Sequence, residues 1–109
     1  MTLPELADLL NTTQMPVAYY AFPVDDPDNP PPPLPFLVYL CTGTNNFSAD
    51  GVVYHCIQSV QIELYTALKD PAAEAAVETA LNGAGIFWNR SEVYLESERC
   101  WETIYEIEV

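Results

Sequence analysis

Apolar residues recur at helical intervals in two segments of the chain. The first is residues 3–11, where Thr2 and Glu5 stand at the spacing of a capping box. The second is residues 70–82, where Asp70 is a favourable N-cap residue. Its apolar positions share one face and are mostly small: Ala73, Ala76, Val77, Ala80 and Leu81. The sequence therefore predicts two amphipathic helices, and the small face of the second is suited to close packing on a sheet.

Alternating or continuous apolar runs predict five strands. The runs are residues 17–22, 36–42, 52–66, 86–96 and 100–109. The polar connection 43–51 and the short turn 97–99 each suggest a hairpin between the strands beside them. The order α-β-β-β-α-β-β predicts one α+β domain over residues 1–109. We expect a mostly antiparallel sheet of about five strands with both helices packed on it.

The last predicted strand has one apolar and one acidic face, because successive side chains alternate across a strand. One face carries Trp101, Thr103, Tyr105, Ile107 and Val109, and the other carries Glu102, Ile104, Glu106 and Glu108. We expect the apolar face to pack against helix 70–82 at Ala76 and Ala80. We expect Glu92 and Glu96 of the preceding strand to join the acidic face. Such an open face of repelling glutamates is more typical of a solvated surface or an interface than of a catalytic pair, which usually lies in a pocket.

The segment 23–35 contains seven prolines in thirteen residues. Proline has no amide donor, so the segment predicts an extended loop with polyproline II character rather than a helix or an inner strand. Because its φ angles are already restricted, docking this loop on another surface costs little conformational entropy.

We predict that this proline-rich loop and the connection 43–51 are contact surfaces. Phe47 is a large aromatic residue in polar surroundings, a setting in which a ring often anchors an interface. The residues expected at the interface are Val24, Asp25, Asp26, Leu34, Asn45, Asn46 and Phe47. The alternative is that Phe47 folds back onto its own sheet and the loop is a passive bulge.

Acidic residues outnumber basic ones by 16 to 3, which gives a formal net charge of -13. Phosphate backbones and anionic membranes are bound by clustered Lys and Arg, so the charge argues against specific nucleic-acid binding and membrane adhesion. The sequence has no apolar run of about 18 residues and no basic leader pattern, so we expect no membrane span, no signal peptide and a cytoplasmic protein. Three interpretations stay open: a soluble protein with an acidic face, a subunit bordering a DNA channel, and a DNA mimic.

Candidate chemistry carries only weak signals. Asp25, Asp26 and Asp28 partly match a calcium loop, but interleaved prolines break the pattern. His55 is the only histidine and adjoins Cys56, but neighbouring strand residues point to opposite faces, so no Cys–His pair is expected. The thiols are expected to be reduced and buried: Cys41, Cys56 and Cys100. We predict no catalytic site, no metal and no cofactor.

Short segments along nearly the whole chain form a recognisable pattern. Besides the leucine-rich first helix, they are residues 15–20, 34–40, 46–54, 61–66, 69–71, 91–98 and 104–107. The stretch QIELYT at 61–66, followed by KDP at 69–71, is the most characteristic. Together these segments resemble the tail-completion, or tail-terminator, proteins of long-tailed bacteriophages.

The resemblance implies a non-enzymatic α/β fold in which helices flank a sheet. It implies a ring, commonly of six subunits, that caps the finished tail tube and presents a surface to the head. The expected partners are other copies of the chain, the major tail tube protein and a head–tail connector or neck protein, with DNA passing through the ring. The expected location is the virion tail, after assembly in the host cytoplasm. The competing expectations are a head-side neck protein and a small acidic inhibitor or DNA mimic that binds a basic partner.

Overall fold

A computed structural model describes residues 1–24, 27–49 and 51–109, with the backbone alone described at 47–49 and 53–55. Two helices and seven strands occur in this part of the chain. They are, in chain order, α1 (Leu3–Asn11), β1 (Val17–Tyr19), β2 (Phe36–Thr44), β3 (Phe47–Ala49), β4 (Val52–His55), β5 (Gln58–Thr66), α2 (Pro71–Gly83), β6 (Trp88–Leu95) and β7 (Cys100–Glu108).

Local capping explains where both helices begin. The Thr2 side chain accepts the Glu5 amide proton, and the Glu5 carboxylate accepts the Thr2 amide proton at 3.1 Å, so the predicted capping box is present. Asp70 Oδ1 accepts the Ala73 amide proton at 3.1 Å at the start of α2. Each such cap contributes about 1 kcal/mol to helix stability. The predicted helices are therefore confirmed to within one residue at their ends.

Five strands form one sheet in the order β1-β2-β5-β7-β6. The β1–β2 pair is parallel, and the other three pairs are antiparallel. The remaining two strands, β3 and β4, pair with each other as a separate ribbon that we call the arm. With the arm set aside, the chain order is α-β-β-β-α-β-β, so the predicted α+β fold is confirmed.

Two predicted strand boundaries were wrong. The first strand ends at Tyr19 because Tyr20 adopts a φ of 69°, which turns the backbone out of the extended conformation. The predicted strand 52–66 is divided between β4 and β5, because the first part leaves the sheet to pair with β3. The hydrophobic pattern continues through the break, so it gave no signal of the interruption.

Both helices contribute to the core on one side of the sheet, which we call the helix face. Its core consists of Leu6, Leu10, Leu37, Tyr39, Val60, Ile62, Leu64, Ala73, Val77, Leu81, Tyr105 and Ile107. Tyr105 is fully buried there, and its hydroxyl donates to Glu78 Oε2 of α2 at 2.8 Å. The predicted contact between α2 and the apolar face of β7 is therefore present at Tyr105.

The contact does not involve the two predicted alanines. Ala76 and Ala80 are half-buried and border a shallow groove beside the end of α1. The Tyr105 hydroxyl donates to Glu78 and so holds this residue of α2 over β7, whereas the two alanines line the groove beside the end of α1. Trp101 also lies outside the core cluster, and its ring packs against Tyr94 with centroids 5.2 Å apart.

Candidate interaction surfaces

Four glutamates share the sheet face opposite the helices, which we call the second face. The register places Glu63 of β5 opposite Ile104, while Gln61 lies opposite Glu106. Residues paired across antiparallel strands point to the same side of a sheet, so the acidic positions of β5 and β7 converge. The four carboxylates belong to Glu63, Glu102, Glu106 and Glu108.

Hydrogen bonds organise the centre of the second face around Glu63. Gln61 Nε2 donates to Glu63 Oε1 at 2.8 Å, and the Tyr65 hydroxyl donates to Glu63 Oε2 at 2.7 Å. Burial, reinforced by hydrogen bonds to Glu63 and Glu102, raises the pKa of the Tyr65 hydroxyl far above its usual range. Tyr65 therefore stays protonated at neutral pH and acts as a hydrogen-bond donor to the carboxylates.

Two of the three basic residues lie on the other side of the sheet. Lys69 Nζ contacts Glu92 Oε2 at 2.6 Å and Glu74 Oε2 at 3.0 Å. Arg90 Nη1 contacts Glu78 Oε2 at 2.7 Å and Glu74 Oε1 at 3.2 Å. The Glu74 side chain is only 5% exposed, so these two cations compensate a buried charge.

The charges are therefore segregated between the two faces. Among the described residues, no salt bridge involves a glutamate of the second face. The third basic residue, Arg99, lies in the turn between β6 and β7. The repulsion among these carboxylates is therefore reduced only by solvent or by a partner that covers the second face.

The expectation that Glu92 and Glu96 join this acidic face was wrong. Glu92 lies opposite Thr103 on the helix face, where it binds Lys69, and Val93 takes the place opposite Glu102. Glu96 follows the last residue of β6 and belongs to the turn. Glu63 of β5 completes the acidic face instead. The strand order is what brings it there, and spacing along one strand could not reveal it.

A wide, shallow groove of about 580 Å³ opens at one end of the second face. Its border includes Gln61, Asn89 and Glu106, which offer hydrogen-bonding groups. Phe87, 79% exposed, supplies an aromatic ring at the same place. This combination is suited to contact with a polar or basic surface that also offers an apolar group.

The proline-rich loop begins against the second face. The Phe22 ring packs on Phe36 with centroids 5.0 Å apart, and Phe36 packs on Tyr65 at 5.3 Å. Val24 is 75% exposed, whereas Leu34 is half-buried. Of the interface residues predicted in this loop, Val24 presents a free apolar surface and Leu34 is partly covered. Asp25 and Asp26 lie outside the described residues.

The predicted interface residues Asn45 and Asn46 lie at the base of the arm. The Asn45 amide donates to Ile57 O at 2.8 Å, and Asn46 Oδ1 accepts the Ile57 amide proton at 3.2 Å. Asn45 Nδ2 also donates to Glu108 Oε1 at 3.3 Å, which connects the arm base to the second face. Phe47 begins β3 opposite His55, but both side chains lie outside the described part, so the interface role of Phe47 stays a prediction.

The overall dimensions agree with segments that project from the sheet. The radius of gyration is 15.2 Å, and the principal extents are 50 × 30 × 26 Å. A compact domain of this length has a radius of gyration of about 13 Å. The molecule is therefore more extended than a compact domain of its length.

The three thiols have different environments. Cys100 is buried, Cys41 is half-buried and Cys56 is exposed. Burial raises the pKa of the Cys100 thiol, with a further contribution from Glu98. The expectation of a buried Cys56 was wrong, because this residue lies in the break between β4 and β5 rather than inside a strand.

Neither a cluster of metal ligands nor a membrane-spanning helix occurs among the described residues. No group of three or more His, Cys, Asp or Glu residues has a geometry that could hold a metal ion within residues 1–24, 27–49 and 51–109. No helix in those ranges is long and apolar enough to cross a membrane. Asp25 and Asp26 of the candidate calcium loop fall outside these ranges.

Comparison with known proteins gives no assignment. No protein-family model matches the chain, and no curated protein matches it.

Proposed function

We propose that this chain is a structural protein that forms a ring on the tail tube of a long-tailed bacteriophage and takes part in head–tail joining. The proposal starts from the sequence resemblance. The structural observation that carries it is the second face, whose four glutamates have no salt-bridge partner among the described residues. A subunit beside a DNA channel needs such a wall, because carboxylates repel phosphates and keep the passing DNA from adhering.

A closed ring also needs two different surfaces for its neighbours, because each subunit contacts the next in a head-to-tail manner. The arm and the proline-rich loop supply such surfaces. The two strands of the arm pair with each other as a sheet separate from the main one, and Val24 of the loop is 75% exposed. In this arrangement the second face borders the channel. The arm and loop contact the next subunit, the tube protein or a connector protein.

The same face supports one alternative, a small acidic inhibitor or DNA mimic. Glu106 and Glu108 are two residues apart on β7, so their Cα atoms are separated by about 7 Å along the strand. A row of carboxylates at this spacing can occupy a basic site on another protein. The two proposals differ in assembly: a mimic acts as a free monomer or dimer, whereas the ring subunit forms an annular particle.

The test of the channel wall replaces Glu106 and Glu108 by lysine. A matched control replaces Asp8 and Glu98, which are exposed at other positions, and so produces the same net charge. Binding of double-stranded DNA is measured by fluorescence anisotropy at about 50 mM salt, where phosphate contacts are strong. In assembled particles, the second-face variant is expected to retain DNA and the control to release it. Equal DNA binding by the two variants would contradict a channel-facing second face.

A further inference from the structure

The edge strand β6 is long and regular, and no strand among the described residues pairs with its outer side. It pairs with β7 without a register shift over all eight residues from Trp88 to Leu95. Proteins usually protect a sheet edge with a short strand, a proline, a bulge or charged side chains, most often lysine. The opposite edge follows this rule, since β1 has only three residues and a proline-rich loop follows it. The β6 edge has no proline, lysine or register shift, and its two charged residues, Arg90 and Glu92, bind partners on the helix face.

Large apolar side chains are exposed along this same strand. Val93 is 44% exposed and Tyr94 is 42% exposed, and Phe87, one residue before the strand, is 79% exposed. Two charged side chains of opposite sign lie between them. The Arg90 side chain is 41% exposed and the Glu92 side chain is 40% exposed, so each retains accessible surface beside its ion pair on the helix face.

The sequence of β6 is complementary to itself in one antiparallel register. We consider two copies related by a two-fold axis perpendicular to the sheet, which keeps both helix faces on the same side of the joined sheet. Even-numbered residues of β6 lie on the helix face, so they must lie opposite even-numbered residues of the second copy. This pairing of even with even residues also places the outward-pointing N–H and C=O groups of one copy opposite those of the other, as an antiparallel ladder requires. Registers that centre on Arg90, Ser91, Glu92 or Val93 each pair at least five strand residues of the two copies. Centring on Arg90 or on Glu92 places like charges opposite each other, which is destabilising.

The register centred on Ser91 avoids this repulsion and pairs seven residues of each strand, two more than the register centred on Val93. Val93 lies opposite Asn89, and the other exposed groups find complementary partners. Arg90 lies opposite Glu92 of the second copy, and the same pair recurs on the other side of the axis. Trp88 lies opposite Tyr94, and Phe87 lies opposite Leu95. Opposite charges, aromatic pairs and apolar pairs are the cross-strand combinations that stabilise antiparallel sheets.

We propose that β6 is a self-association edge, through which two copies of the chain join their sheets in the register centred on Ser91. The contact is isologous and closes at two copies, whereas a ring is built from head-to-tail contacts. It therefore uses a surface separate from those assigned to the ring and does not depend on the ring proposal.

A cysteine cross-link tests this register directly. Ser91→Cys places two thiols opposite each other at the axis, within the Cα separation that a disulfide spans. Asn89→Cys is the matched control, because it is exposed on the same strand face. In the proposed register, position 89 of one chain lies opposite position 93 of the other. The two substituted positions are therefore four residues, or about 14 Å, apart along the strands. Both variants carry Cys56→Ser, which removes the exposed native thiol.

Under mild oxidation with diamide, Ser91→Cys is expected to give a covalent dimer in good yield and Asn89→Cys to stay monomeric on a non-reducing gel. Equal cross-linking of the two variants, or none with either, would overturn the register.

A charge variant tests the contact without any cross-link. Glu92→Arg places arginine opposite Arg90 at both symmetry-related pairs, while Lys69 keeps its contact with Glu74. The control Asp8→Arg makes the same charge change on an exposed position of α1. Sedimentation equilibrium should show about a tenfold weaker dimer for Glu92→Arg than for the control, since two pairs change from attraction to repulsion. Equal dimer dissociation constants for the two variants, or a wild-type chain that stays monomeric at about 100 μM, would overturn the proposal.

Discussion

The hydroxyl of Tyr105 fixes how α2 lies on the sheet, and its removal is a sharp test of the packing. Tyr105→Phe keeps the fully buried ring and deletes one oxygen, which donates to the Glu78 carboxylate at 2.8 Å. A hydrogen bond to a charged group contributes about 1.5–3 kcal/mol. Glu78 is 21% exposed and keeps Arg90 at 2.7 Å, so water and the guanidinium partly replace the lost donor. We expect a loss near the lower limit, about 1.5 kcal/mol.

Urea denaturation followed by circular dichroism measures this loss. Tyr94→Phe is the matched control, because it deletes the same atom from a tyrosine that is 42% exposed on β6. An exposed substitution of this kind changes stability by less than about 0.5 kcal/mol. Equal midpoints for the two variants would refute the argument that the Tyr105 hydroxyl holds α2 in place.

The pH dependence provides a second measurement on the same variant. Burial, reinforced by the bond to Glu78, raises the pKa of the Tyr105 hydroxyl well above its usual range. An unfolded tyrosine ionises near pH 10, so the stability linked to this group is complete below about pH 10 and declines as the pH rises further. Tyr105→Phe should therefore show a shallower alkaline loss of stability than the wild type. Parallel alkaline profiles would contradict the assigned environment.

Three further predictions follow from the core, the thiols and the arm. Val77→Ala, at a fully buried position, should lower the free energy of unfolding by about 2 kcal/mol in urea denaturation. Ala76→Leu should lower it by less than about 1 kcal/mol, because Ala76 borders an open groove. The reverse order would contradict the orientation of α2. In the native protein Cys56 should react with a thiol reagent well before the other two cysteines, and three equally slow thiols would show that it is covered. Asn46→Ala removes the acceptor for the Ile57 amide, so hydrogen exchange at that amide should accelerate roughly fivefold, and an unchanged rate would exclude the bond at the arm base.

Features set by local chemistry could be predicted from the sequence. The helix starts depend on Thr2 and Asp70, whose side chains bond to amides within three residues, so short spacings contain the whole signal. The two faces of β7 follow from alternation alone. The number of main strands and the α+β class follow from the same patterns.

Features set by long-range pairing could not be predicted in this way. Strand order brings Glu63 beside the β7 carboxylates and places Glu92 on the opposite face. The rotation of α2 depends on the bond from Tyr105, 27 residues away from Glu78 in sequence. The predicted strand 52–66 is divided because its first part, β4, pairs with β3 instead of joining the sheet. Both parts are rich in apolar residues, so the sequence pattern does not distinguish them.

The ring proposal is tested most directly by electron microscopy of the chain mixed with tail tubes assembled from a major tail tube protein of a long-tailed bacteriophage. We expect annular particles of the chain alone or at tube ends, and a density that caps one end of each tube. It also predicts that capped tubes stop elongating when more tube protein is added. Tubes that stay uncapped and continue to grow at a saturating concentration of the chain would contradict the proposed function.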